Sequence, residues 1–319
     1  MASSAKTKKT QKPTAKTPPA RRIEAPTYRS FRISKRLKPQ KQSLPKARIL
    51  FRSSLGHLWK YRKSFIGITA VYLVLTIILV KGLSVSNNIP ELKQTLQETL
   101  TGASGQLTTG LAIFGFLIGN ASGVSSDIAG TYQSILLVLV SLALIWALRQ
   151  THAGNTVHTR EAFYRGMYPL IPFLAVLLVI GVQFLPLVAA SWLFNITVIS
   201  GLAVTTLEQI LWSTLSFSLA LLSIYLVSSS VFALYVSTLP DMRPMRALRS
   251  TRDLVRYRRW EILRKVLFLP LVLLVIGAVI VLPIILFLTP LTEWVFFALS
   301  MFALAVSHSY IYSLYRELL

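Results

Sequence analysis

The chain has 319 residues, of which 53% are hydrophobic and only 14% are charged, and its mean hydropathy is +0.58. A soluble domain carries about a quarter charged residues, so this composition argues against a water-soluble globular protein. The chain has no cysteine, which excludes disulfides, thiolate metal sites and cysteine nucleophiles.

The N-terminal segment is basic and poor in large apolar side chains. Residues 1–63 hold 19 of the 34 lysines and arginines and one acid, Glu24. The composition of 1–46 cannot bury enough surface to offset chain entropy, so we predict a disordered basic cytoplasmic arm. The distance to the first apolar run argues against a cleavable secretory signal.

The composition of this arm also allows two other interpretations. An organellar transit peptide is also rich in bases and hydroxyls, but the many prolines and the missing amphipathic stripe argue against it. Phosphate contacts to nucleic acid are a second alternative. The arm lacks an RNA-binding fold, so lipid or general cytoplasmic anchoring is favoured over nucleic acid.

From Ala47 the pattern changes to that of a short basic amphipathic helix. Leu50, Leu55 and Leu58 recur at roughly helical spacing among lysines and arginines. Such a helix lies at an anionic membrane interface. Four bases of this region are predicted to bind lipid headgroups, namely Arg52, Lys60, Arg62 and Lys63.

Long apolar runs follow, and a helix that crosses a bilayer needs about 20 such residues. Six runs meet this requirement, at about 65–82, 132–148, 168–192, 209–236, 265–288 and 292–315. We therefore predict an all-α polytopic membrane protein, in which 47–319 forms a six-span membrane domain. Basic amphipathic interfacial helices are expected before the odd-numbered spans.

The distribution of bases predicts an orientation. Lysines and arginines concentrate in the arm and in the loops 149–167 and 237–264, whereas the intervening loops carry mainly acids. With six spans, every basic segment falls on one side, which the positive-inside rule makes cytoplasmic. We expect a multi-pass protein of the bacterial cytoplasmic (inner) membrane with both termini in the cytoplasm.

One apolar segment, LAIFGFLIG at 111–119, complicates this count. A seventh span there would turn the arginine-rich loop outward, and the segment is short for a span. We predict a re-entrant or surface-docked element within a long outer loop, 109–123. Gly115, Gly119 and Gly123 have the GxxxGxxxG spacing that allows close helix approach; an accidental spacing in a glycine-rich loop is the alternative.

The segments that precede the odd spans resemble one another. They read LFRSSLGHLWKYRK at 50–63, REAFYRGMYPL at 160–170 and LRSTRDLVRYRRW at 248–260. Three repeated units of interfacial helix, span, outer turn and span would explain this likeness. Independent selection of aromatic and basic flanks at the interface would explain it equally well.

The last of these segments is expected to form one helix over 249–265. The arginines would then reach headgroups, while an apolar face would meet acyl chains. That face comprises Leu248, Leu254, Val255, Trp260, Ile262 and Leu263. The bases predicted to bind headgroups here are Arg249, Arg252, Arg256, Arg258 and Arg259. A specific headgroup site and simple anchoring of the topology are the two interpretations, and anchoring is favoured.

The stretch ALRSTRDLVRYRRWEILRKVLFLPLVLLVI at 247–276 resembles the segment before a span in the glycerophosphoryl diester phosphodiesterase membrane-domain group. The whole chain is similar to small six-span bacterial membrane proteins of unknown function, through TYQSILLVLVSLALIWALRQ and EAFYRGMYPLIPFL. These resemblances imply a polytopic inner-membrane fold. They carry over no catalytic residue, because no phosphodiesterase domain is present.

Catalytic chemistry finds little support in the residues. No phosphate-binding, nucleophile-elbow or zinc-protease motif occurs, and we assign no catalytic, cofactor-binding or metal-binding residue and no cofactor. His158 and Glu161 lie one turn apart, but a solvated loop explains them better than a metal site. Within the spans, Gln183 and His308 form a candidate intramembrane polar site; a hydrogen-bonded structural role is the alternative.

These observations favour a non-enzymatic organising or accessory component of the membrane. Its basic cytoplasmic face would bind the anionic headgroups of membrane lipids and a protein partner that the sequence does not identify. The alternative is a transporter or permease-like protein with a path between spans three to six. That alternative predicts a hydrated mid-membrane cavity lined by Gln183, His308 and the serines of the fourth span.

Overall fold

The computed structural model describes residues 44–80, 93–94, 105–119, 127–239 and 242–319. The arm predicted over 1–46 therefore lies outside the described residues, apart from its last three positions. The described ranges contain no strand and form ten α-helices. These are α1 (Ala47–Lys60), α2 (Arg62–Leu79), α3 (Gly105–Gly119), α4 (Asp127–His152), α5 (Thr159–Gly166), α6 (Leu170–Phe194), α7 (Thr206–Ser237), α8 (Pro244–Val255), α9 (Arg259–Phe287) and α10 (Thr292–Arg316).

Six of these helices, α2, α4, α6, α7, α9 and α10, are long and apolar enough to cross a membrane. The prediction of an all-α, six-span membrane protein is thus confirmed. The shorter helices α1, α5 and α8 precede α2, α6 and α9, which are the first, third and fifth spans. The proposal that the three units are true repeats stays a prediction.

Local signals at several helix ends agree with the sequence. The Thr205 side chain accepts a bond from the Glu208 backbone, and the Glu208 carboxylate accepts from the Thr205 backbone, which forms a capping box at the start of α7. Gly154 and Gly201 have φ of 87° and 75°. Glycine adopts this left-handed conformation without strain, so the chain turns sharply after α4 and after the π-helical turn Asn195–Ile199.

Helices α4 and α10 form the centre of the bundle. The stretch from Leu142 to Leu148 on α4 is almost wholly buried, as are Ala305, Ser309 and Tyr310 on α10. Helix α2 packs against both α4 and α10 through a face that includes Ile68. Helices α6 and α7 pack mainly against each other.

Contacts between distant segments show which helix ends meet. Ser309 on α10 donates to the Ser54 carbonyl on α1 (3.2 Å), and Arg149 near the end of α4 donates to the Thr238 carbonyl after α7 (2.9 Å). One end of the bundle therefore comprises α1, α5 and α8, the starts of α2, α6 and α9, and the ends of α4, α7 and α10. We call it the basic end.

The prediction of a single helix over 249–265 is wrong. Helix α8 ends at Val255 and α9 begins at Arg259. Helix α8 packs against α6 and α7, and its residues Ala247, Thr251 and Val255, spaced by four, are buried. Of the six residues expected to face acyl chains, Val255 and Ile262 are fully buried within the protein and do not, whereas Trp260 is exposed.

The apolar segment 111–119 belongs to α3, which packs along the later half of α9. Ile113, Phe114 and Leu117 on α3 form a small core with Val281 and Ile285 of α9. At 15 residues, α3 is shorter than the about 20 residues that a span requires. Its contacts therefore show a helix that is docked against α9.

The glycine spacing does not explain how α3 docks. A methyl group added at Gly115 would meet nothing within 4 Å, so this glycine does not mediate a close helix approach, and the accidental interpretation fits it. Gly123 and the surroundings of Gly119 lie outside the part of the chain that the structure describes. Gly277 on α9 instead lies against the Phe114 ring, at 3.6 Å from the added methyl position.

Lys93 binds the end of α9 opposite the basic end. Its Nζ donates to the carbonyls of Ile285 (2.8 Å) and Leu286 (3.1 Å) and to the Thr289 hydroxyl (2.9 Å). The last carbonyls of a helix lack intrahelical donors and attract positive charge. Lys93 therefore caps the fifth span.

Candidate functional site

Positive charge is concentrated at one end of the bundle. Of the lysines and arginines that the structure describes, all but Lys93 belong to the basic end. The bases predicted to bind headgroups all lie there. Arg52, Lys60, Arg62, Lys63, Arg249, Arg252 and Arg256 are exposed, and Arg258 and Arg259 are half-buried. Their role as headgroup ligands stays a prediction.

Aromatic rings accompany several of these bases. The Arg62 guanidinium lies 5.5 Å from the Trp59 ring, and the Arg259 guanidinium lies 4.8 Å from the Tyr225 ring of α7. Trp59 is 73% exposed, as expected of a side chain that sits at a membrane interface. Arg259 is therefore held against α7, whereas the exposed bases of α1 and α8 are directed away from the bundle.

Three of the four histidines converge at the basic end, although they are far apart in the sequence. His57 on α1, His152 at the end of α4 and His308 on α10 are linked through tyrosines Tyr235 and Tyr312. We call these five residues the His–Tyr cluster. It joins α1, α4, α7 and α10, and hence a surface helix to three spans.

The outer part of the cluster is a stacked histidine pair. The rings of His57 and His152 are 3.7 Å apart at their centroids. His152 Nδ1 donates to the Leu148 carbonyl (2.8 Å), and His57 Nε2 lies 2.9 Å from the Thr151 hydroxyl. Burial, reinforced by the positive charges of His152, Arg316 and Lys60, lowers the pKa of His57 from 6.5 to about 4. At pH 7 the His57 ring of this stacked pair is therefore neutral.

The inner part of the cluster is His308. Its Nδ1 lies 3.0 Å from the Tyr235 hydroxyl, and its Nε2 lies 3.1 Å from the Ser141 hydroxyl. A neutral imidazole has one donor and one acceptor nitrogen, so both are satisfied by these two partners. This geometry matches the structural interpretation, in which His308 ties α4, α7 and α10 together.

Gln183 lies elsewhere, at the interface of α6 and α7. Its backbone carbonyl accepts a hydrogen bond from the Ser223 hydroxyl (2.8 Å). Its side-chain Oε1 is buried without a hydrogen-bond partner. Positions 223 and 235 of α7 are about 18 Å apart along a helix axis, so Gln183 and His308 do not share a site. Ser228, like several serines of α7, donates to its own helix.

A cleft opens at the basic end between α4, α5, the start of α6 and the connection from α7 to α8. Its volume is about 840 Å³, and Arg149, Arg165 and Arg243 line it together with apolar and aromatic side chains. Arg149 is half-buried, and its second nitrogen donates to the Thr238 hydroxyl. No local sequence pattern indicates this cleft.

His158 and Glu161, for which a solvated loop was favoured over a metal pair, lie at the start of α5. The Glu161 carboxylate forms an ion pair with Arg165, one turn along α5, at 3.0 Å. No group of three or more metal-binding side chains occurs within the described ranges.

Sequence reasoning missed the His–Tyr cluster and the cleft for the same reason. Each is assembled from residues separated by long stretches of chain, and no local spacing connects His57 with His152 or Arg149 with Arg243. One signal was present: Arg149 falls in the last turn of a long apolar helix. A charged side chain at such a place needs a partner.

Comparison of the chain with protein-family models, curated proteins and solved structures finds no match. The resemblance at 247–276 therefore has no support from relatives.

Proposed function

We propose that this membrane protein spans the bacterial cytoplasmic membrane with its basic end in the cytoplasm. There it would act as a non-enzymatic organising or accessory component that binds anionic lipid headgroups. The observation that carries the proposal is the one-sided charge: every described lysine or arginine except Lys93 belongs to the basic end. The positive-inside rule assigns such an end to the cytoplasm.

The packing of the interfacial helices supports lipid binding. In α8 the buried residues Ala247, Thr251 and Val255 face α6 and α7, while Arg249 and Arg252 are exposed. The helix is thus fixed in the bundle with its bases directed outward. Anionic lipid attracts each such base by about 1 kcal/mol, so a fixed row of bases favours anionic over zwitterionic neighbours.

The absence of native cysteine makes the orientation testable by single-cysteine labelling. Arg256→Cys at the basic end should react with an impermeant maleimide only when the cytoplasmic side is accessible. Leu291→Cys, at the exposed turn of the opposite end, should react in intact cells. Labelling of Arg256→Cys from outside would invert the proposed topology.

Lipid binding is testable with spin-labelled lipids and the full chain reconstituted in bilayers. We expect phosphatidylglycerol to associate more strongly than phosphatidylcholine at low salt, and this preference should weaken at high salt, where exposed charges are screened. The triple variant Arg249→Gln, Arg252→Gln, Arg256→Gln should reduce the preference. A preference that ignored both the variant and the salt would contradict headgroup binding by this face.

The permease alternative gains nothing from the polar residues on which it rested. Gln183 and His308 lie on separate helix interfaces, and His308 is bonded on both ring nitrogens. The cleft at the basic end is lined by neither residue. No catalytic residue or cofactor forms part of the proposal, and the identity of a protein partner is left open.

A further inference from the structure

Arg149 is a cation that lacks a matching anion in the described protein. It lies in the last turn of α4, is half-buried and donates to the carbonyl and hydroxyl of Thr238. A guanidinium has five donors, and these bonds use two of them. No described carboxylate forms an ion pair with Arg149. A partly buried charge without a counter-ion is costly, so the site favours an anion.

The other charges of the cleft strengthen this preference. Arg165 is already paired with Glu161, but Arg243 is exposed and forms no described ion pair. Arg243 is also the residue that precedes α8, and Pro244 at the start of α8 lines the cleft as well. The positive end of the α8 dipole therefore adds to the charges of Arg149 and Arg243.

The remaining walls are mainly apolar and reach the outer surface of the bundle. Trp146, Pro172 and Leu239 contribute to the lining. Tyr168, at the mouth, is 90% exposed, and Ile171, on the first turn of α6, is 80% exposed. An exposed tyrosine followed by exposed apolar residues of a span is typical of the boundary between headgroups and acyl chains. The cleft thus opens where the bilayer changes from polar to apolar.

We infer that this cleft holds one anionic phospholipid. Its phosphodiester would accept hydrogen bonds from Arg149 and Arg243, and its acyl chains would run past Trp146 and Pro172 into the bilayer. The inference deepens the proposed function, on which it rests for the orientation of the basic end. It differs from the proposed function in kind, because the exposed bases select many neighbouring lipids and the cleft retains a single one.

The test is native mass spectrometry of the full-length protein in detergent, titrated with phosphatidylglycerol and, separately, phosphatidylethanolamine. We expect one phosphatidylglycerol to bind about tenfold more tightly than the rest. Arg243→Gln should weaken that first binding step about five- to tenfold, as expected for the loss of one charge-assisted contact. Arg149→Gln should weaken it at least as much.

Arg246→Gln is the matched control. It removes the same charge from an exposed position of α8 outside the cleft, so the first binding step should change less than about twofold. Because the Arg243 side chain makes no described hydrogen bond, its variant keeps the test valid even if Arg149→Gln fails to fold. Equal losses for Arg243→Gln and Arg246→Gln, or equal affinity for the zwitterionic lipid, would overturn the inference.

A second arm separates a lipid from a soluble anion. A water-soluble glycerophosphodiester without acyl chains should fail to displace the retained lipid at equal concentration. Displacement by that compound, with the same dependence on Arg243, would show a soluble-anion site and overturn the lipid assignment. The two proposals can fail separately. If no single tight lipid is found but the spin-label experiment still shows the salt-dependent preference, the cleft inference fails and the proposed function stands.

Discussion

At the scale of single residues, Gln183 and His308 differ in how their polar atoms are satisfied. His308 has a partner on each ring nitrogen, whereas Gln183 Oε1 is buried without one. Removing one member of a buried hydrogen bond leaves the other unsatisfied, which costs about 1–3 kcal/mol. Removing a polar group that was unsatisfied already carries no such penalty.

We therefore predict opposite effects for two substitutions of similar size. His308→Leu should lower the free energy of unfolding by about 1–3 kcal/mol, because the Tyr235 hydroxyl loses its partner in a buried site. Gln183→Met should be neutral or stabilising. Thermal unfolding in detergent, followed by circular dichroism, measures both. A larger loss of stability in Gln183→Met than in His308→Leu would contradict this prediction.

His57 gives the docking of α1 a pH dependence with a defined sign. Its pKa falls from 6.5 to about 4 in the folded protein, so between these values the unfolded chain binds more protons than the folded one. Stability therefore rises with pH in this window. The contribution is fully present above pH 6.5 and is lost as the pH falls toward 4.

The corresponding experiment compares the unfolding temperature at pH 7 and pH 4.5. The decrease in wild type should be smaller in His57→Phe, which preserves a ring against His152 but does not titrate. His158→Gln is the control, because His158 is exposed and lies outside the His–Tyr cluster; it should keep the wild-type decrease. An unchanged decrease in His57→Phe would show that this histidine does not govern the acid sensitivity.

At the scale of elements, the contact of α5 with α4 depends on one glycine. A methyl group at Gly166 would lie 3.0 Å from the Ala143 Cα and 3.2 Å from both the Ala143 nitrogen and the Leu142 carbonyl oxygen. These are backbone atoms of a central span and cannot move aside as a side-chain end can. The interfacial helix before the third span is thus pressed directly onto the backbone of α4.

Gly166→Ala should accordingly destabilise the protein by about 1–3 kcal/mol through overpacking. Gly181→Ala on α6 is the matched control, because its added methyl group would meet nothing within 4 Å. Alanine there should be neutral or stabilising by up to about 1 kcal/mol through helix propensity. Chemical or thermal unfolding of the two variants in the same detergent would compare them, and equal effects would contradict the close contact at Gly166.

The six spans and the interfacial helices were predictable because each is encoded in a continuous stretch of apolar or amphipathic residues. The end of α8 was not, since Arg256, Tyr257 and Arg258 are all compatible with a helix. The break follows from packing: α8 lies against α6 and α7, and α9 has to align with α3 and α10. A local sequence pattern cannot indicate this break, because the helices that impose it are distant in the sequence.

At the scale of the whole molecule, the number of crossings depends on α3. Its contacts with α9 and its length of 15 residues agree with a helix that docks without crossing the membrane. The chain would then enter and leave α3 on the same side. Ser104→Cys and Ser125→Cys, at sequence positions on either side of α3, should both react with an impermeant maleimide in intact cells. Reaction from opposite sides of the membrane would demonstrate a seventh span and contradict the docked position of α3.

The spans of this bundle have very unequal lengths. Helix α2 has 18 residues and α7 has 32, which correspond to about 27 Å and 48 Å along their axes at 1.5 Å per residue. A hydrocarbon core about 30 Å thick matches the first but not the second. The long helix therefore tilts, protrudes or thickens the bilayer beside it. Where α7 thickens the bilayer, lipids beside α7 would experience a thicker membrane than lipids beside α2, and the protein would impose a lateral gradient of thickness on its surroundings.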